Sequence, residues 1–335
     1  MTATREAAAP SVPPSGRSYQ RLGMGRVYYV LAAIGMLLAV VLAALRVGEK
    51  AGRLSDWQAL TLGIVQGLTE LLPISSSGHL ILVPWVADWH YLETHASYNK
   101  TFDVALHLGT LVAVIVYFWS DVVRYIAAWF RSVARRRVAT VDERLAWYIF
   151  AATIPAGIAG ALGEEVIEKH LGQPWQIAIF LALFGVILWI ADRTPQRRGI
   201  EDLGFGTAFA IGVSQILALM PGVSRSGITI TSGRFAALDR DSAARFSFLL
   251  LIPVVAGAVL YKGLKHVVLN PLPAGSTGPF IVGTIAAAAA GLVAIDLLLG
   301  YVRRHDYTIF VVYRLILAAI ILIIIASGLR GASFG

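Results

Sequence analysis

The parts of a reaction lie within one short stretch of this chain, Gln66-Gly-Leu-Thr-Glu70-Leu-Leu-Pro73-Ile-Ser75-Ser76-Ser77-Gly78-His79. Gln66 and Glu70 are four apart and share one helix face. Pro73 then ends that helix, and three hydroxyls, a glycine and a histidine follow. Glu70 offers a base or a group that orients a nucleophile, and a serine beside His79 offers an activated hydroxyl. A second Gly/Ser-rich break, Pro221-Gly-Val-Ser224-Arg225-Ser226-Gly227, adds a guanidinium. Its fork of donors suits a phosphate or carboxylate, and the N–H groups of half-helix ends add anion-binding capacity. Together the breaks offer Glu70, Ser75, Ser76, Ser77, His79, Ser224, Arg225, Ser226 and Thr229 to an anionic substrate.

Plainer readings stand beside this one. Arg225 can snorkel or cap carbonyl ends, Glu70 can be silently paired with it, and Ser and Gly also serve close helix packing. The functional reading is preferred because ionisable groups at membrane depth are costly and mark sites. Asp103 and His107 form a second pair four apart, which either lines the same cavity as a supporting shell or lies at the interface. Asp296 and Arg314 are read as structural or interfacial. No P-loop, GxSxG or HExxH pattern occurs, so ATP hydrolysis, an α/β-hydrolase site and a zincin site are unsupported.

The elements that must position these groups belong to a membrane. Apolar residues are 57% of the 335 and charged residues 14%, against about 25% charged in a soluble domain. The net charge of +8 is spread over short basic tracts between apolar runs, which is the positive-inside pattern rather than a nucleic-acid surface. There is no cysteine, which excludes disulfides, thiolate metal sites and cysteine nucleophiles. A polar, Ala/Pro/Ser-rich tail over 1–26 is expected to be disordered. The uncharged run Val27–Leu45 predicts an extra N-terminal transmembrane helix over 27–47, favoured over a cleaved signal peptide because the run is long.

Further apolar segments run over about 57–72, 79–89, 101–119, 145–162, 176–191, 203–220, 243–264, 280–300 and 308–327. Two pairs, around Ser75 and around Ser224, are too short or broken for full spans and are read as re-entrant hairpins. The basic loops 120–144, 192–202 and 303–306 are assigned to the cytoplasm, and the acidic loop Glu164–Glu168 to the outside. Counting spans, the hairpin around Ser75 enters from outside and that around Ser224 from the cytoplasm, each followed by three spans. Residues 63–78 and 212–227 align without gaps and share Gly63/Gly212, Gln66/Gln215, Leu68/Leu217, Ser75/Ser224, Ser77/Ser226 and Gly78/Gly227. The expected fold is therefore an all-α polytopic membrane protein, an inverted-topology repeat with two re-entrant helical hairpins and about seven full transmembrane helices. One membrane domain spans 57–330, with repeats over about 57–191 and 203–330.

From about Trp57 to Arg330 the chain resembles undecaprenyl-diphosphate phosphatases of the bacitracin-resistance type. The resemblance rests on Gln66-Gly-Leu-Thr-Glu70, Pro73 to His79, Pro221 to Thr229, Phe102-Asp103 through His107-Leu-Gly109-Thr110, and Tyr313-Arg314. It implies hydrolysis of undecaprenyl diphosphate to the monophosphate on the outer face of the bacterial inner membrane, recycling the lipid carrier for peptidoglycan. It implies Ser76 as nucleophile, Glu70 in support, His79 as proton carrier, and Arg225 with Ser224 and Thr229 on the diphosphate. Gln66, Ser75, Ser77 and Ser226 complete the substrate-binding set. No tightly bound cofactor is implied; a divalent cation, Mg2+ or Ca2+, would be held by Glu70 and the diphosphate. A homodimer follows by analogy, and no nucleic-acid partner is expected.

Two departures stand out: Gln66 replaces a glutamate that begins the family's first motif, and the run over 27–45 adds a span. The main rival function is a lipid-phosphate transporter or flippase, since inverted repeats with broken helices are a transporter signature. A catalytically dead relative with a binding role is disfavoured by the intact Glu70, Ser76, His79 and Arg225.

Overall fold

The computed structural model describes residues 24–45, 54–89, 91–92, 95–263 and 276–333. The described residues form twelve α-helices and no strand. Seven helices are long and apolar enough to cross a membrane: α1 (Met24–Leu45), α4 (Ala96–Tyr117), α6 (Val141–His170), α7 (Pro174–Asp192), α10 (Arg240–Gly263), α11 (Thr277–Val302) and α12 (Thr308–Ala326). The chain is a multi-pass membrane protein. The tail expected over 1–26 lies outside the described residues up to residue 23, and α1 begins three residues earlier than the uncharged run suggests.

Between the spans lie two pairs of short helices: α2 (Asp56–Leu71) with α3 (Ser76–Ala87), and α8 (Phe205–Ser214) with α9 (Arg225–Phe235). A 3-10 turn, Gln215–Leu219, prolongs α8. At 1.5 Å per residue, α2 spans roughly 24 Å and the others less, short of a hydrocarbon core of about 30 Å. The expected re-entrant hairpins are compatible with these lengths. Pro73 stops α2 because a residue before proline is driven out of the helical region, and Leu72 is extended at φ −75°, ψ 146°.

The two halves repeat in detail. Ser75 and Ser224, paired by the sequence alignment, have φ of 75° and 76°, a strained region for a side-chain-bearing residue. Each caps the following helix by accepting from the N–H three residues on, Gly78 and Gly227. Gly63 of α2 lies so close to α11 that a Cβ there would be 2.4 Å from the Gly283 carbonyl oxygen. Gly212 of α8, its counterpart, would meet the Ala152 oxygen of α6 at 2.3 Å. Thus the first helix of each pair packs, through an equivalent glycine, on the middle span of the other half.

The inversion shows at the ends of the antiparallel α7–α12 pair. Past α3, Asp88 pairs with Arg330, which follows α12. Near the end of α9, Arg234 pairs with Asp192 at the end of α7, Nε to Oδ1 3.1 Å. The Tyr307 N–H, just before α12, donates to the same Asp192 at 3.0 Å. The second helices of the two pairs therefore point to opposite ends of one scaffold.

Two stretches depart from expectation. The basic loop expected over 120–144 contains a helix, α5 (Trp119–Arg135). Val123, Ile126, Phe130 and Val133 recur on its exposed apolar face while Arg131 and Arg135 are also exposed, the pattern of a helix lying in the membrane interface. The expected acidic loop Glu164–Glu168 is instead the last part of α6, which runs to His170. Its Glu/Lys-containing sequence is helix-forming, and only Gly172, at φ 101°, ahead of Pro174, turns the chain.

Candidate active site

Pro73 and Pro221 interrupt their helices where the two halves meet, and the freed backbone is stitched across the break. The Gly222 N–H donates to Ser75 Oγ at 3.1 Å, and Ser226 Oγ donates to the Leu72 carbonyl at 3.0 Å. Arg314 of α12 is fully buried and is spent on carbonyls. It donates to Leu181 (2.9 Å), Pro73 (3.2 Å), Gly222 (2.9 Å), Val223 (3.2 Å) and Phe180 (3.3 Å). It clamps both breaks at once and plays the structural part assigned to it. Ser75, Ser224 and Ser226 likewise face backbone; Ser224 Oγ lies 3.2 Å from Ser226 Oγ, and Ser77 Oγ 3.4 Å from Ser75 Oγ.

On this scaffold Glu70, buried at the end of α2, gathers the chemistry. Ser76, first residue of α3, donates its hydroxyl to Glu70 Oε2 in a short hydrogen bond. Arg225, first residue of α9, donates from Nη2 to Glu70 Oε1 at 2.9 Å and from Nη1 to the Ser247 carbonyl at 3.0 Å. A guanidinium has five N–H donors, so three of them have no acceptor among the described residues. Thr229 lies one turn on, its hydroxyl 2.7 Å from Ser247 Oγ and 2.8 Å from the Arg225 carbonyl. Gln66 Nε2 is 3.4 Å from Glu70 Oε2, while Gln66 Oε1 is buried without a partner among the described residues.

The two histidines separate. His107 Nε2 stands 3.7 Å from Glu70 Oε2, and its Nδ1 is 2.7 Å from the Asp103 carbonyl. A carbonyl only accepts, so Nδ1 carries a proton, and the contact with the Asp103 backbone orients the ring. With 31% of its side chain exposed, His107 joins the carboxylate to the outside of the cluster. His79 Nδ1 is instead 2.7 Å from the Ser75 carbonyl, and its Nε2 is 2.7 Å from the Tyr313 hydroxyl. His79 and Tyr313 lie at one edge of an apolar groove of about 850 Å³ lined by Val65, Leu68, Leu72, Leu297 and Phe310.

Ser247 and the partnership of Tyr313 with His79 escape sequence reasoning. Ser247 carries no motif, and only its place on α10, opposite α9, brings it to Arg225. Among the described residues no three His, Cys, Asp or Glu side chains form a metal-binding group. The donors that could serve a hard cation are the Glu70 carboxylate and the orphaned Gln66 Oε1, a set that suits Mg2+ or Ca2+ completed by substrate oxygens and water.

Comparison with known proteins agrees with the sequence resemblance. The family described as "Bacitracin resistance protein BacA" matches residues 59–320. An undecaprenyl-diphosphatase of Moorella thermoacetica is 45% identical over 265 residues, covering 79% of this chain and 95% of that protein. One of Desulforudis audaxviator is 44% identical over 272 residues, covering 81% and 98%. A third, of Thermomicrobium roseum, is 43% identical over 279 residues, covering 81% and 98%.

Proposed function

The chain belongs to the bacitracin resistance protein BacA family, and from that premise we propose how its site works. The protein is an undecaprenyl-diphosphatase, a membrane hydrolase that releases phosphate from undecaprenyl diphosphate and returns the lipid carrier to cell-wall synthesis. The observation that carries the mechanism is the continuous contact Ser76–Glu70–Arg225, which puts a hydroxyl, a carboxylate and a cation in one buried cluster.

Arg225 takes the terminal phosphoryl group on its unused N–H donors, and Thr229 and the Ser247 carbonyl keep the guanidinium in place. Ser76 Oγ attacks the terminal phosphorus while Glu70 accepts its proton. The bond from phosphorus to the bridging oxygen breaks, and undecaprenyl phosphate leaves. Water then attacks the phosphoserine, Glu70 again acting as base, and inorganic phosphate departs with Ser76 restored. His107 exchanges the Glu70 proton with the exposed side of the cluster. Such catalysis is mostly positioning and charge neutralisation, which two half-helix ends and a clamped arginine supply. Glu70 and Gln66 would hold a divalent cation together with the diphosphate; such an ion neutralises phosphoryl charge. Ser75, Ser224 and Ser226 hold the breaks in register, Ser77 lies beside them, and His79 with Tyr313 borders the apolar groove, which suits an isoprenoid chain.

The site is read as opening to the outer face of the bacterial inner membrane, from the basic loops at the other end. A homodimer is carried over from the resemblance, and the lack of a nucleic-acid partner is read from the short basic tracts between apolar runs. The matched packing of the two halves favours one second reading, carriage of the lipid phosphate across the membrane. Phosphate release by purified protein in detergent separates the two. The hydrolase releases phosphate, and Ser76→Ala and Arg225→Ala abolish it; near-normal turnover in the Ser76 variant overturns the nucleophile assignment.

A further inference from the structure

A second polar cluster lies at the far end of α7 and shares no residue with the Ser76–Glu70–Arg225 contact, although its Arg234 stands at the other end of the helix that begins with Arg225. Between the end of α7, the turn after it and the start of α12 is a polar pocket of about 370 Å³, bordered by Arg193, Gln196, Arg234, Arg240, Asp306 and Thr308. Asp192 forms its floor and accepts from Arg234 Nε (3.1 Å), Arg240 Nε (2.8 Å) and Arg240 Nη2 (3.1 Å). The matching latch at the other end needs one cation and one anion, Arg330 and Asp88. Here there are three arginines, 193, 234 and 240, against two carboxylates, 192 and 306. The Thr308 N–H holds the Asp306 carboxyl below the usual carboxylate range, so the cluster keeps one surplus positive charge.

The surplus is accessible. Arg234 spends its fork on Asp192 and on the carbonyls of Leu238 and Thr194 and is closed to a ligand. Arg240 uses Nε and Nη2 on Asp192 and is 22% exposed, leaving Nη1 without an acceptor among the described residues. Arg193 stacks on Trp189 and gives only Nη1 to the Trp189 carbonyl at 3.1 Å. Gln196 is exposed and uses its carbonyl oxygen on the Arg240 N–H, which leaves its amide N–H groups available. The N-terminus of α12, a 19-residue helix, adds positive potential. Trp189, 41% exposed on the apolar side, suits the depth of lipid headgroups.

We propose that this pocket binds a terminal phosphate group at the end of the molecule that carries the basic turns, independently of the hydrolytic site. The anion is either the headgroup of an anionic lipid or free phosphate, since both present the same oxygens to Arg240, Arg193 and Gln196. Basic pockets between spanning helices are recurrent lipid-headgroup sites.

The test uses the full chain in detergent and two exposed-residue variants, Arg193→Gln and Gln196→Glu, the second adding a carboxylate beside Arg240. Native mass spectrometry with dioleoyl phosphatidate and dioleoylglycerol reads the lipid arm. Melting temperature in phosphate against chloride at matched ionic strength reads the free-anion arm. Comparing wild type with these variants cancels any phosphate held at Glu70 and Arg225, which both variants keep. The wild type should retain phosphatidate over dioleoylglycerol by about tenfold or more and each variant should lose that preference, with phosphate release from undecaprenyl diphosphate unchanged. A phosphate-specific rise in melting temperature present only in the wild type supports the pocket with free phosphate as its ligand. Wild type and variants that respond alike to both probes overturn the proposal.

Discussion

Ser76 and Glu70 are six residues apart across the Pro73 break, and the hydroxyl at the start of α3 donates to the carboxylate at the end of α2. The proposed nucleophile and its base thus come from two helices whose relative placement is held by hydrogen bonds between side chain and backbone across the two breaks. Arg225 reaches the same carboxylate from the other half of the chain. One carboxylate therefore links both halves of the repeat to the Ser76 hydroxyl.

Glu70→Gln removes the proposed proton acceptor and leaves Arg225 without its counter-charge. Loss of a general base costs about 10²–10⁴-fold in rate, and turnover in detergent should fall by at least the lower figure. Phosphate release under saturating substrate checks this. A variant within threefold of wild type would remove Glu70 from the mechanism.

The two histidines should divide in kinetics as they do in space. His107→Gln removes the only imidazole that faces Glu70 among the described residues, and kcat should fall about tenfold or more. Tyr313→Phe removes a hydroxyl that is bonded to His79 rather than to the Ser76–Glu70–Arg225 contact, so kcat should stay within about threefold while KM for the lipid changes. The reverse pattern would make His79 the proton carrier.

Arg314→Met tests the central clamp. It strips the charged donor from five carbonyls, three at the breaks and two within α7, and leaving a buried acceptor unsatisfied costs about 1–3 kcal/mol. Melting in detergent should drop clearly, and Arg314→Lys should recover little, because an ammonium cannot fork across carbonyls from three segments.

Gly63→Ala and Gly212→Ala probe the repeat itself. Each Cβ would land within 2.5 Å of a carbonyl oxygen on the middle span of the other half. Overpacking of this kind costs about 1–3 kcal/mol, and thermal stability should fall by similar amounts in the two variants. A tolerated substitution at either position would show that its helix contact is not tight.

Much of this was legible in the sequence because membrane depth makes polar residues conspicuous. Glu70, Ser76 and Arg225 stand out as ionisable or hydroxyl groups among apolar neighbours, and the Gly/Ser alignment at 63–78 and 212–227 correctly paired Ser75 with Ser224. Loop charge parity pointed to the inversion that the Arg330–Asp88 and Arg234–Asp192 latches display. What stayed hidden depends on spacing that only tertiary structure supplies. His107 reaches Glu70 because α4 packs beside α2, and Ser247 meets Arg225 because α10 packs beside α9. Helix α5 was hidden for another reason: its arginines read as loop charge, although its apolar residues recur at helical spacing.

The central claim is that Ser76 attacks phosphorus with Glu70 as its base. Rapid acid quench of purified protein in the first turnover on undecaprenyl diphosphate, followed by peptide mass spectrometry, tests it most directly. The mechanism predicts phosphoserine at Ser76 that rises before free phosphate and is absent in Ser76→Ala. Free phosphate released at the full rate with no phosphate on Ser76 at any quench time would contradict it and assign the attack to water.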